Sequence, residues 1–546
     1  MKIRLIQWPI LFLVLFFSCT INQPSKTKHN DTITVAWSKG INTLDPACAV
    51  GIESAEVVTQ MYEGLVYTDI TTHEIRPLLA ETWVVSSDGL VWDFTLRSNV
   101  RFHDGTPLDA TAVVFSFRRQ MDAVRQQREG KNTAAATICG YDYWKAYFDD
   151  IIQSVKTIGP MRVRFVLKYP YAPFLQTLEM FAVSIVRPFD VATPDILNHR
   201  SLGTGPFRLA GRVADRIVLN RNNDYWNVPN KPTFKTLVFT VIPENRQRLL
   251  ALEGERLDIA FHLDPARYLT IRLHPLLQLM ALPSNNTVYI ALNTKREPFS
   301  IRQFRLAINH AIDRNKIVKL VYQGMAQLAQ APVPPDMRVG KEPIFHDNDP
   351  LLQWPEYNPE KARQLLQEAG YGTSIERRPF TLYFIQSPRT YLPDPLLMAN
   401  MIRHDLEQVG IPVDIKPMEY MEYKRVLKAG LHDMAIHGWV AEITDPDEYL
   451  YGLLHGSNVL RRTGTNHAFF QNYEYDVFVN RARQEQAHPQ QRVALYRKAL
   501  AIFHSEVPWV PMAHARLVIT SHRRIKNIHV SAGTFMHYNL LQMVQP

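Results

Sequence analysis

The stretch AIHGWVAEITDPDEY, residues 435–449, is where chemistry is most visible in the chain. An apolar run containing Trp439 stops at the carboxylate of Glu442, and Asp445-Pro446-Asp447 follows three residues later. An unpaired charge is costly to bury, so a carboxylate at the end of a buried strand needs a cation to face. That cation could be a lysine of the chain or a group brought from outside. Asp445-Pro446-Asp447 is most simply a helix-starting turn. Catalytic arrangements are missing. There is no His-Glu-x-x-His, Gly-x-Ser-x-Gly or phosphate-cradling Gly-x-x-x-x-Gly-Lys. The histidines, including His432, His437, His504 and His514, lack metal-ligand spacing. The chain therefore reads as a protein that is not an enzyme and needs no metal or cofactor.

The elements around that stretch alternate between strand and helix. HDMAIHGWVA (432–441) is apolar on both faces and so predicts a central strand covered on both sides. Glu442 then lies just past its carboxyl end, where open α/β sheets bind ligands. In a regular strand Trp439 and Glu442 would point to opposite faces, so both reach one cleft only if the strand has ended by Glu442. Further strands are expected at 91–102, 162–170, 237–243, 287–294, 413–420, 509–519 and 525–530. A helix capped by Asp109 carries Ala110, Val113, Val114, Phe117 and Met121 on one face. A long helix is predicted over 301–323. Another is bounded by Asn358, Pro359 and Gly370, and a third covers 398–409. Should 287–294 and 511–518 lie side by side, they form two crossings between lobes, and the first lobe holds both chain ends.

With 546 residues the chain exceeds one usual core, so two lobes or more are expected. Hydrophobic residues make up 46%, yet no stretch after the first twenty residues is long and apolar enough to span a membrane. The net charge of +9 is spread without a Lys/Arg block, which favours an anionic membrane surface over nucleic acid. Residues 1–18 have the layout of an export signal: Lys2 and Arg4, then an apolar segment, then Ser18. Ser18-Cys19 resembles a lipoprotein processing site, with Cys19 acylated and residues 19–31 as a polar tether; plain secretion and an uncleaved anchor are the other readings. Cys48 and Cys139 could pair in an oxidising compartment or stay as two buried thiols, and spacing alone does not decide.

Several phrases, in order along the chain, resemble the extracytoplasmic solute-binding proteins of peptide-type ABC importers, bacterial family 5. They include TLDPA (43–47), YEGLV (62–66), the run PLLAETWVVSSDGLVWDFTLRSNVRFHDGTPLDATAVVFSF (77–117), GTGPFRL (203–209), LNTKREPFSIRQFRLAINHAIDR (292–314) and YNPEKARQLLQEAGY (357–371). The resemblance implies an α/β, two-lobed periplasmic binding protein of type II, the large peptide-binding class, with two inter-lobe crossings. Lobe I would hold 32–288 and 514–546, with a subdomain at roughly 80–200, and lobe II would hold 289–513. It implies a monomer that hands a short peptide to a membrane permease and its ATPases, without nucleic acid.

Two later stretches look most like dipeptide-binding members. RTYLPDPLLMA (389–399) resembles the segment whose arginine holds the ligand carboxylate, which gives Arg389 that role, with Tyr391 bracing its loop. GWVAEITDPD (438–447) resembles the segment whose aspartate holds the ligand ammonium; here Glu442 stands there, one methylene longer. Tyr420 matches a pocket aromatic, Gly51 matches a backbone segment beside the ligand, and Trp439 could pack on a ligand side chain or belong to the core. A free peptide is a zwitterion, and each of its charges needs a charged partner once desolvated. The planar fork of arginine suits a carboxylate. An extended chain advances about 3.3–3.6 Å per residue, so a fixed Arg–Glu separation selects ligand length. Haem, cell-wall peptide and nickel are the rival cargoes of such a fold, and a surface lipoprotein without transport is the rival function.

Overall fold

A computed structural model describes residues 31–69, 72, 74–131, 139, 141–189, 195–200, 202–213, 215–372, 378–459, 465–530 and 535–544. Cys19 and residues 20–30 of the expected tether lie outside them. Two mixed sheets organise the chain. The first has seven strands in the order Leu277–Leu282, Leu517–His522, Ile259–Phe261, Thr32–Trp37, Thr236–Val241, Arg216–Arg221 and Phe207–Val213. The second has six: Ala326–Leu328, Trp509–Ala515, Asn286–Leu292, Met434–Val440, Phe380–Ile385 and Val413–Met418. Each has its own apolar core, Ile33, Val35 and Leu237 in the first, Val288, Ile290 and Ile436 in the second.

The chain passes between the sheets twice, and the two passages are neighbours. Leu282 of the first sheet is followed, after residues 283–285, by Asn286 of the second; Ala515 and Leu517 flank the return at Arg516. Leu282 pairs with Leu517 in one sheet and Val288 with Ala513 in the other. Asn286 staples the crossings: its amide donates to the Ala515 carbonyl (2.7 Å) and accepts from the Ala515 N–H (2.9 Å). Strands Asn286–Leu292 and Trp509–Ala515 are buried along their whole length. Residues 283–285 and Arg516 are the short links between the two sheets.

A third, four-stranded antiparallel sheet, Ala80–Val85, Val91–Leu96, Arg162–Leu167 and Ile152–Gly159, is packed by the helix Ala110–Arg128. Asp109 caps that helix by accepting from Ala112 N (2.9 Å). Cys48 and Cys139 form a disulfide, with Cα atoms 5.3 Å apart, which ties this subdomain to the segment leading from the first strand.

Several boundaries differ from the expected ones. The helix expected over 301–323 is two, Arg302–Ala311 and Arg314–Tyr322, because Ile312 is extended and Asp313 restarts the helix by accepting from Lys316 N (3.0 Å). The strand expected over 413–420 ends at Met418, and Tyr420 opens the helix Tyr420–Lys428 after the cap Glu419. The helix expected from 398 begins at Pro395, capped by Asp394. The strand expected over 509–519 is interrupted at Arg516, where the chain changes sheet, and the one expected over 525–530 keeps only Ile525–Lys526.

Candidate ligand-binding cleft

A cavity enclosing about 590 Å³ of empty space, part of it open to solvent, lies where the lobes and both crossings meet. Gly51 and Tyr143 line it from the first lobe, Asn286 and Arg516 from the crossings, and Thr390 and Glu442 from the second lobe.

Glu442 is brought there by the end of its strand. Met434–Val440 is an interior strand, paired with Asn286–Leu292 on one side and Phe380–Ile385 on the other. Its ladder stops at Val440, and the next turn folds around Glu448. That carboxylate accepts from Glu442 N (2.9 Å), Ile443 N (2.8 Å), Trp439 Nε1 (3.0 Å) and, across the cleft, Tyr147 Oη (2.9 Å). The Glu442 side chain is thereby turned toward the first lobe, where Tyr143 donates to it at 2.9 Å. Trp439, anchored on Glu448, packs beside the core that holds Tyr289 and Trp509 and is not among the residues lining the cavity.

The rest of the loop is held by buried arginines. Arg492 grips Asp445 with two bonds (2.8 and 2.7 Å), and Arg483 holds Asp447 at 3.1 Å while Tyr171 of the first lobe donates to Asp447 at 3.1 Å. Ile443 inserts into the core of the four-stranded subdomain. Glu442, by contrast, has no cation beside it among the described residues. Burial, and then the charge of Glu448, push its carboxyl up to about 8 against the opposing bond from Tyr143. Burial likewise raises Glu448 to about 7, against the donors gathered on it.

Arg389 sits in a tight turn whose ends bond to each other, Arg389 N to Leu392 O (2.9 Å) and Leu392 N to Arg389 O (3.0 Å). Its guanidinium lies over the Tyr420 ring, 4.6 Å from the centroid. Its Nε is buried with no hydrogen-bond partner among the described residues. Tyr391 braces the turn twice: its carbonyl accepts from Tyr322 Oη (2.9 Å), and its ring packs against Gly438, where a Cβ would come within 2.3 Å of it. Burial raises the Tyr391 phenol to about 12. Thr390, inside the same turn, reaches the cavity wall. Gly51 precedes the helix Ile52–Val58 with φ +91° and ψ 156°, a conformation open essentially only to glycine.

The structure thus brings Gly51 and Glu442 to one cavity, groups Arg389, Tyr391 and Tyr420 around the turn that carries Thr390 without any of the three lining the cavity, and leaves Trp439 behind Glu448. Sequence reasoning missed Tyr143, Tyr147 and Glu448. Tyr143, just before the helical turn Trp144–Phe148, and Tyr147 within it are four apart, a spacing visible in YDYWKAYF; Glu448 had no such signal. Lys39 and Glu53 of the first lobe were also missed. Glu53 is raised by burial while Lys39 and Arg389 oppose the rise, and Lys39 is lowered by burial and then by Arg389, so both stand within electrostatic reach of that guanidinium. Among the described residues no group of three or more His, Cys, Asp or Glu is arranged to hold a metal, and no helix is long and apolar enough to cross a membrane.

Comparison with known proteins agrees with this architecture. Residues 74–460 match the model of the bacterial extracellular solute-binding proteins, family 5. Heme-binding protein A of Haemophilus influenzae is 32% identical over 512 residues, 91% of this chain and 89% of that one. Di/tripeptide-binding protein 2 of Pseudomonas aeruginosa is 31% identical over 541 residues, 96% of each. An ABC transporter-associated periplasmic binding protein from Helicobacter pylori, solved in complex with the peptide STSA, superposes with a TM-score of 0.78 at 28% identity, covering 94% of this chain and 98% of that one.

Proposed function

The chain belongs to the bacterial extracellular solute-binding proteins of family 5, and from that premise we propose that it captures dipeptides or other short peptides between its lobes and delivers them to an ABC permease. One observation carries the reading. A carboxyl with no cation beside it among the described residues, Glu442, lines the cleft, and next to Thr390 of the same lining stands Arg389, whose Nε has no hydrogen-bond partner among the described residues and whose guanidinium is reached electrostatically by Glu53. A zwitterion satisfies both, its ammonium on Glu442 and its carboxylate on Arg389, with Tyr420 stacked under the guanidinium and Gly51 allowing close backbone approach. Gly51 and Glu442, on opposite lobes, grip the ligand only when the lobes are together.

Haem is the second reading, favoured by the similarity to the Haemophilus protein. The protein acts, on this proposal, as a periplasmic monomer tethered to the membrane through an acylated Cys19; Cys19→Ala then releases it to the soluble fraction.

Native mass spectrometry of the purified chain, followed by calorimetric titration of the cargo-stripped protein with a dipeptide library and with haem, tests the cargo. Dipeptide binding that weakens in Arg389→Ala and in Glu442→Gln is expected. Saturable haem binding with no dipeptide binding refutes the proposal.

A further inference from the structure

We infer that the wall of the cavity beside Glu442 forms the pocket for the side chain of the peptide's first residue, and that it selects peptides beginning with an apolar residue. The inference rests on the peptide reading above and adds to it which peptides the cleft takes.

The argument starts from bond lengths. An ammonium held on Glu442 sits about 2.8 Å from a carboxylate oxygen, and its Cα follows at about 1.46 Å. The first side chain must therefore leave the backbone within a few ångströms of Glu442, next to Tyr143, whose hydroxyl is 2.9 Å from the same carboxylate. From Tyr143 an aromatic wall runs on. Its ring meets Phe181 edge-on (centroids 5.0 Å), and Phe181 meets Phe535 edge-on (5.7 Å). Ile52 and Ala55, three apart and so on one face of the helix Ile52–Val58, close another side, and Leu517 closes the side toward the crossing.

This wall suits one class of side chain. Each methylene moved from water against it is worth about fourfold in affinity. A charged first side chain would be desolvated against the apolar wall of Phe181, Phe535, Ile52, Ala55 and Leu517. A lysine would compete with its own α-ammonium for Glu442. An aspartate would sit next to Glu442 itself, and its only cation in the lining is Arg516, a solvent-exposed side chain at the crossing. Burying a charge without a partner is costly, so both are disfavoured.

The test is calorimetric titration of the cargo-stripped full-length chain with X-Ala dipeptides, X being Gly, Leu, Phe, Asp or Lys. Leu-Ala and Phe-Ala are expected to bind at least tenfold more tightly than Gly-Ala, Asp-Ala and Lys-Ala. Ala55→Leu fills the pocket and should lower the ratio of Leu-Ala to Gly-Ala affinity at least tenfold. Ile52→Asp, at a half-buried helix start that tolerates an acid, should move preference toward Lys-Ala, so a folding failure of the first variant leaves the second to decide. Dipeptides that bind with no dependence on X, or a ratio untouched by both variants, overturn the inference while leaving the peptide reading standing. A chain that binds no dipeptide at all overturns both.

Discussion

Suppose the two lobes close with nothing between them. Apart, they leave Glu442 in water, where a glutamate titrates at 4.5; together, burial and Glu448 hold it at about 8. Closing an empty cleft at pH 7 must therefore protonate Glu442 or bury its charge. At 1.36 kcal/mol per tenfold change in proton affinity, the cost is at most about 3 kcal/mol, because Glu448 stays beside Glu442 when the lobes separate and keeps part of the rise. The sign is fixed by the direction of the rise. The closed-state value is above the open one, so the penalty is absent below pH 4.5, grows between 4.5 and 8, and is full above 8, at most about 5 kcal/mol. Glu442→Gln removes it. Small-angle scattering of the cargo-stripped protein from pH 5 to 8.5 reads the effect as a radius of gyration. The parent should contract as the pH falls through this window. Glu442→Gln should already be contracted at pH 7 and keep only the weaker dependence that Glu448, near 7, leaves behind. The same variant should bind dipeptides about 2–5 kcal/mol more weakly, because the ammonium loses its buried partner. Equal radii for parent and variant at both pH 5 and pH 7 would refute the reasoning.

Arg389→Ala should abolish discrimination between a dipeptide and its C-terminal amide, which in the parent differ by tenfold or more in calorimetry; Arg389→Lys should restore only part, since a point charge lacks the fork. Gly438→Ala would place a Cβ within 2.3 Å of the Tyr391 ring, so it should cost about 1–3 kcal/mol of stability and weaken dipeptide binding, read by thermal melts and titration. Asp445→Asn strands the buried Arg492 guanidinium and should cost about 3–5 kcal/mol in denaturant unfolding. Reducing the Cys48–Cys139 bridge, which closes a loop of 91 residues, should lower stability by about 2–5 kcal/mol and appear as two new titratable thiols.

The architecture was legible because its signals are local and repeated. The apolar strand at 432–441, the capped helices after Asp109 and Asn358, and the family phrases each stand in contiguous residues. The crossings stood as a condition, that 287–294 and 511–518 lie side by side, and Val288 does pair with Ala513. What escaped was pairwise and distant. Arg492 and Arg483, the cations that answer Asp445 and Asp447, come 47 and 36 residues later on helices with no unusual pattern. Asp445-Pro446-Asp447 read as a simple turn, and it does start a helical turn, Asp447–Leu450, but both aspartates are also buried ion-pair partners. Glu448 was invisible because its role is to collect backbone N–H groups, which every residue carries. The disulfide stayed open because Cα separation is a property of the fold, not of spacing.

Four carboxylates stand within residues 442–448, and their unequal partners explain how a single charge can be aimed. Asp445 and Asp447 are each bound by a buried arginine, and Glu448 is saturated by four donors, including the N–H groups of Glu442 and Ile443. These interactions fix the backbone on both sides of Glu442, so its carboxylate is held in place before any ligand arrives, and little ordering remains to be done on binding. Had Glu442 been given an arginine as well, the empty cleft would close without penalty and a ligand ammonium would gain nothing by entering. Left without a cation, it makes closure unfavourable in one circumstance and favourable in the other. Two of the groups that fix the loop or face it, Tyr147 on Glu448 and Tyr171 on Asp447, belong to the opposite lobe. Closure therefore completes the anchor that a zwitterion needs, and the zwitterion removes the charge penalty that opposes closure; on this reading occupancy and lobe position are coupled through one carboxylate.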